Sequence, residues 1–365
     1  MYLFFYESTG DFKMITARSS LPKDITSAAL PEGTLFFDIE TTGFPPDSSH
    51  LYMIGCSFIQ DGVWQIIQWF DETKTDAGER LLLEAFARTA SRSDYCISFN
   101  GATFDFPYIR KKASRHHMDD PLAHVEHLDL YSRLRHYKKF FGMTSMKQKS
   151  VEDFLGLDRK DTYSGGELIQ VYTDYIQTKN RQAFDALMLH NYEDVKGMFG
   201  LLPMLSYLNL FDGNYTFGQP LRSGADLCLT LYLPSPVPVA VTAGRTIASL
   251  QLDKDTAILT VHGFDGQLKY FYENYKDYEY LPLEDEAIHK SVAAFVDKKF
   301  RQKATRHNCY TKKTDFFLPE SDPVITPVFK QDSTSRELWF CASRLEESPG
   351  LISDYVRSLV NVFAK

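Results

Sequence analysis

Between Gly33 and about Leu210, short apolar runs of strand length alternate with longer stretches whose apolar residues recur at helical spacing. That alternation confines this part of the chain to a layered α/β fold. Residues 34–39 read as a buried strand, and 51–60 with 63–70 as a hairpin turned by Asp61-Gly62. A helix is expected over 79–90, a returning strand over 95–99 and a short strand over 125–130. Further helices are expected over 106–114, 145–155, 166–177 and 181–201. The pattern amounts to three antiparallel strands followed by strand-helix units.

Beyond residue 212 the pattern turns strand-rich and gains Pro220, Pro234, Pro236 and Pro238. We therefore expect an N-terminal segment (1–32) packed on a first domain (33–211), and a smaller α+β domain (212–365). In the latter, 247–252 should pair with 256–261, and a strand over 267–274 should follow a turn at Asp265-Gly266. A helix over 284–300 should bury Ile288, Val292, Phe295 and Val296 and expose the cations of the basic stretch 290–313.

With 365 residues, 44% apolar and 24% charged, the chain can bury two cores. The net charge of −8 argues against a surface coated in polyanion, but not against an enzyme whose site collects carboxylates. Cys56, Cys96, Cys228, Cys309 and Cys341 are scattered and odd in number, which fits buried free thiols in a reducing compartment. The apolar start is too short for a signal peptide and no run could span a bilayer, so a cytoplasmic protein is expected.

In Phe37-Asp38-Ile39-Glu40 the two carboxylates share one face of a strand while Phe37 and Ile39 take the other. Anions forced together at the end of a buried strand call for a cation or a shared proton, and a hard divalent metal suits them; a strand-end turn with incidental acids is the plainer alternative. Thr41-Thr42-Gly43 then offers hydroxyls and a permissive turn. Asp105 follows the strand over 95–99 and Asn100-Gly101, bringing another carboxylate to a strand's carboxyl end, where a helix cap is the other reading. His190 and Asp194, four apart, share a helical face, and imidazole beside a carboxylate can serve as a base. Asp129 is a further acid near the strand ends, for which capping is the default.

Together these segments resemble the DEDD superfamily of 3′ to 5′ exonucleases. DIETTG at Asp38 to Gly43 matches its first motif. FNGATFDFPYI at Phe99 to Ile109 is similar to the second motif of family B DNA polymerase proofreading domains and of YprB-like ribonuclease H-like proteins. The likeness runs from about Thr34 to Leu202 and takes in His127 to Leu130 and Ser145 to Gly156. It implies a ribonuclease H-like mixed sheet flanked by helices, with Asp38, Glu40, Asp105 and Asp194 holding two divalent ions, Mg²⁺ or Mn²⁺, at a phosphodiester of DNA or RNA. Oxygen-only ligation favours those ions over zinc. His190 has the spacing of the family's tyrosine subgroup and the residue type of its histidine subgroup, and is the first candidate to orient the water, with Tyr192 second.

Thr41, Thr42 and Asn100 would then lie near the substrate. So would Arg135, Lys138, Lys139 and Lys147, from a run between Arg133 and Lys149 that holds no acid and interleaves Tyr137, Phe140 and Phe141. A core role for those aromatics is the other reading. Endonucleolytic or ribonucleolytic action on structured substrates, and a non-catalytic nucleic-acid-binding module, are the alternatives to an exonuclease; protein partners are not legible.

Overall fold

The computed structural model describes residues 5–8, 14–22, 25–26, 28–347 and 349–364. Two compact units emerge, Met1–Lys138 with Met143–Leu205, and Lys139–Gly142 with Ser206–Lys365.

The strands of the first unit are β1 (Phe5–Ser8), β2 (Met14–Ser20), β3 (Thr34–Thr41), β4 (Leu51–Gln60), β5 (Val63–Asp71), β6 (Tyr95–Ser98) and β7 (Glu126–Asp129). They form one sheet in the order β1-β2-β5-β4-β3-β6-β7. β6 runs parallel to both β3 and β7, and every other pairing is antiparallel. The β4–β5 hairpin closes on Asp61 and Gly62, both at positive φ (52° and 74°), as a tight turn between twisted strands requires. Its helices are α1 (Asp76–Ala90), α2 (Asp105–Arg115), α3 (Leu130–Leu134), α4 (Gln148–Phe154), α5 (Gly165–Thr178) and α6 (Arg181–Leu201).

Local chemistry sets the helix ends. Thr75 caps α1 through the Gly78 amide, and Ser164 with Glu167 forms a capping box at α5. Lys179, at φ 51°, ends α5, and Asn180 caps α6. The expected helix over 145–155 begins only at Gln148, because Ser145 Oγ accepts from the Lys147 amide and turns the chain first. Asp129 caps α3 and so cuts the expected strand over 125–130 to four residues.

β3 is covered on both faces. Phe37 and Ile39 join Leu82, Leu83 and Phe86 of α1 and Tyr108 and Ile109 of α2 in one core. On the other face Phe36 stacks on Phe199 of α6, ring centroids 4.1 Å apart. Each such buried side chain contributes roughly 1.5–3 kcal/mol. Behind β4, Glu79 of α1 is fully buried: it meets Lys112 of α2 at 2.7 Å and His116 at 2.8 Å and accepts from the Leu51 amide. This network fixes where the loop from β3 re-enters the sheet.

The second unit holds α7 (Leu208–Asp212), β8 (Thr216–Phe217), β9 (Leu221–Ser223), β10 (Asp226–Tyr232), β11 (Val241–Gly244), β12 (Ala248–Asp253), β13 (Thr256–His262), β14 (Phe264–Phe271), β15 (Tyr278–Leu281) and β16 (Glu286–His289). After these come α8 (Lys290–Ala293), β17 (Gln302–Lys303), β18 (Tyr310–Glu320), β19 (Leu338–Cys341), α9 (Arg344–Glu347) and α10 (Pro349–Ala364). The strands make a six-stranded sheet and two three-stranded sheets, β14-β18-β19 and β16-β15-β17.

Two expectations fail in this unit. Asp265-Gly266 lies inside β14, opposite Phe316 and Asp315, because β14 pairs with the distant β18 rather than turning into a hairpin. The helix over 284–300 does not form. Asp285, at φ 54° and bonded by the Tyr280 and Tyr310 hydroxyls, turns the chain so that β16 pairs with β15. Strand pairing thereby overrides helical periodicity. Val292 and Phe295, expected in the buried stripe, are exposed, Phe295 by 91%.

Candidate functional site

Residues 36, 38 and 40 share one face of β3, and α6 lies across it. Phe36 meets Phe199, Asp38 accepts from Asn191 Nδ2 at 2.9 Å, and Glu40 Oε1 stands 3.6 Å from His190 Nε2. At the end of β3 the pairing with β4 shifts register between Glu40 and Thr41, a bulge that re-aims the strand where the acids sit. Asp105 is the first residue of α2, and its Oδ1 accepts from the Ile39 amide at 3.2 Å. One turn further along α6 than His190, Asp194 Oδ2 lies 3.1 Å from His190 Nε2.

These groups line a cleft of about 840 Å³ at the carboxyl ends of β3 and β6, together with Thr41, Asn100, Lys147 and Lys149. The aromatic rings of Phe44 and Phe104 stand at its wall, 6.0 Å apart between centroids.

The electrostatics of the four acids differ. Burial, then repulsion from Asp194, Glu40 and Asp105, holds the Asp38 carboxyl well above the usual range. Burial, only partly offset by His190, pushes Glu40 up to about 7. Burial also pushes Asp105 up to about 7, against amide hydrogen bonds including that of Ile39. Burial acts on Asp194 in the same direction, but hydrogen bonds and charge from His190 and Arg159 prevail and hold it below the usual range. For His190 burial favours the neutral ring, yet Glu40, Asp161 and Asp194 outweigh it and raise the imidazole to about 11.

Three acids that burial, with repulsion from their neighbours, pushes toward retaining protons make a donor set suited to a divalent cation. Ligand atoms of Glu40, His190 and Asp194 also lie within 4.8 Å of one another.

Residues 35–206 match the family model described as the RNase_H superfamily. The first unit is ribonuclease H-like. Among solved structures, the family B DNA polymerase from the hyperthermophilic archaeon Pyrobaculum calidifontis is similar at 16% identity and TM-score 0.39, over 50% of this chain and 25% of the polymerase. An apo exonuclease I is similar at 14% identity and TM-score 0.28, over 61% of this chain and 57% of its own. The zinc-bound complex of E. coli exonuclease I with single-stranded DNA gives 13% identity and TM-score 0.29, over 92% and 74%. No curated protein matches the sequence.

Within the ribonuclease H-like unit, the structure brings Asp38, Glu40, Asp105, His190 and Asp194 into one cleft, with Thr41, Asn100 and Lys147 on its lining. Thr42 is spent on the turn, its Oγ1 accepting from the His50 amide at 2.8 Å. Arg135 and Lys138 lie off the lining, and Lys139 belongs to the second unit. Phe140 and Phe141 are buried there against Tyr207, the core role that was the alternative for these aromatics. Asp129 takes the amides of Asn100 and Ala102 besides capping α3.

Four participants were not anticipated. Arg159 Nη2 meets Asp194 Oδ1 at 2.6 Å and Asp161 Oδ2 at 3.0 Å, and its Nη1 meets Glu152 at 3.2 Å. Asp161 also receives His190 Nδ1 at 2.7 Å and Lys149 Nζ at 2.9 Å. Gln68 donates to Asn191 Oδ1 at 3.0 Å, which turns the Asn191 amide toward Asp38. Asn191, next to His190 on a helix, could have been found from the helical period; Asp158-Arg159-Lys160-Asp161 reads only as a solvated loop.

Proposed function

We propose that the protein is a metal-dependent nuclease, a 3′ to 5′ exonuclease acting on DNA or RNA, and that Asp38, Glu40, Asp105 and Asp194 hold two divalent ions, Mg²⁺ or Mn²⁺. The observation that carries this reading is the convergence of four carboxylates on one open cleft, three of them with raised affinity for protons because burial, and repulsion from neighbouring acids, disfavours their charge. Bound among these oxygens, a metal pair would supply activation of water and stabilisation of the leaving oxygen.

The chain's own residues do the rest. Asp161 fixes the His190 ring through Nδ1, so that Nε2 faces Asp194 and Glu40, where it can orient a water. Asn191 holds Asp38 against rotation, and the Ile39 amide does the same for Asp105. Lys147, on the cleft lining, would meet a phosphate. A non-catalytic binding module is disfavoured, since four acids without metal repel the polyanion such a module would hold. All five cysteines are free thiols, which is compatible with a reducing compartment.

The test uses single-stranded oligonucleotides of DNA and RNA labelled at either end. Stepwise shortening of the 5′-labelled strand and release of the 3′ label as mononucleotide support the exonuclease. Internal fragments from both labels would replace it with an endonuclease, and intact substrate with every metal would reject hydrolysis.

A further inference from the structure

At the other end of β3, by Gly33 and Thr34, the first unit has a second cavity of about 450 Å³. The strand is eight residues long, which sets the two ends roughly 23 Å apart. The cavity is therefore separate from the acidic cleft and shares no lining residue with it.

Three guanidinium groups line this cavity, those of Arg18 on β2, Arg88 in the last turn of α1, and Arg92 two residues past its end. None of the three makes a hydrogen bond or ion pair to a described residue, and no carboxylate is among the lining residues. A cation near the carboxyl end of α1 suits the helix dipole, which accounts for Arg88. It does not account for three like charges around one volume, in a chain whose net charge is −8. The lining also holds the apolar side chains of Ile67, the cross-strand neighbour of Arg18, and of Trp69 and Ala85.

Guanidinium forks match the oxygens of a phosphate two at a time, and an apolar wall beside them suits the body of a small organic ligand. We propose that this cavity binds the phosphate group of a small ligand of up to nucleotide size, with Arg18, Arg88 and Arg92 as its contacts. The site is independent of the hydrolytic reading of the acidic cleft.

Titration calorimetry on the full chain in EDTA, with adenosine 5′-monophosphate, inorganic phosphate and adenosine as probes, tests the assignment. EDTA leaves the acidic cleft repelling anions, so that phosphate uptake reports the arginine cavity. We expect one equivalent of each phosphorylated probe to bind, adenosine to bind far more weakly, and the Arg88→Glu/Arg92→Glu variant to lose roughly ten- to hundredfold in affinity. Tighter binding of the nucleotide than of phosphate would identify a nucleotide as the ligand, and equal binding would identify the free ion. The substituted positions are exposed, and an unchanged thermal midpoint confirms that the variant folds. No binding of either phosphorylated probe at millimolar concentration, adenosine binding as tightly as its monophosphate, or an unchanged affinity in the variant would overturn the proposal.

Discussion

Asp194 differs from the three acids around it in having two cations of its own, Arg159 on one oxygen and His190 on the other. Asp161 holds both of those cations in place. Replacing Arg159 by Leu would leave Glu152, Asp161 and Asp194 without their shared partner. We expect a loss of about 3–5 kcal/mol in stability, read from denaturant unfolding. Asp161→Asn keeps the shape but weakens the hold on His190, and turnover should fall roughly 10- to 100-fold with the fold retained. The raised acids also set a pH dependence. Glu40 and Asp105, at about 7 when folded, retain protons that the unfolded chain releases near pH 4. The metal-free protein therefore loses stability as pH rises from about 4 to 7. Thermal melts across that range should show the fall, and Asp105→Asn should make it shallower by removing one of the raised acids; a flat profile for the parent would contradict the raised carboxyls. Asp38 with Glu40, and His190 with Asp194, were legible in the sequence because spacings of two on a strand and four on a helix fix a shared face, while Asp105 was legible only by its place after a strand. Arg159 and Asp161 were not, because a loop carries no period and its charges look solvated.

Among the elements, β3 and α6 do most to build the cleft, and a glycine sets their separation. A Cβ on Gly55 of β4 would stand 2.0 Å from Asn191 Oδ1, and Asn191 is fully buried between Gln68 and Asp38. Gly55→Ala should therefore cost about 1–3 kcal/mol and displace Asn191 from Asp38, lowering activity more than a surface Gly→Ala such as Gly244→Ala. Parallel unfolding and turnover measurements on the two variants decide the point. Elements with strong local signals came through: the β4–β5 hairpin and α6 stand where periodicity and the Asp61-Gly62 turn put them. In the second unit local signals misled, since β14 pairs with a strand whose partner residues lie 39 to 53 positions away and β16 forms where an apolar stripe implied a helix. Such long-range pairings leave little trace in any short window.

For the whole molecule, charge is distributed to a purpose. The chain is acidic by eight charges, and four of its carboxylates meet in one cleft, where burial and mutual repulsion raise Asp38 well above the usual range. A divalent ion at a hundred times its dissociation constant would add about 2.7 kcal/mol to stability. The corresponding rise of roughly 5–10 °C in the unfolding midpoint of the first unit should disappear in Asp38→Asn. Among the described residues no helix is long and apolar enough to cross a membrane. The most direct measurement is the rate of hydrolysis of a single-stranded oligonucleotide against Mn²⁺ concentration, for the parent and for Asp38→Asn, with EDTA as the zero. Saturable, Mn²⁺-dependent cleavage that the single substitution abolishes is what the account predicts; cleavage that persists in EDTA, or that is equal in the variant, would contradict it.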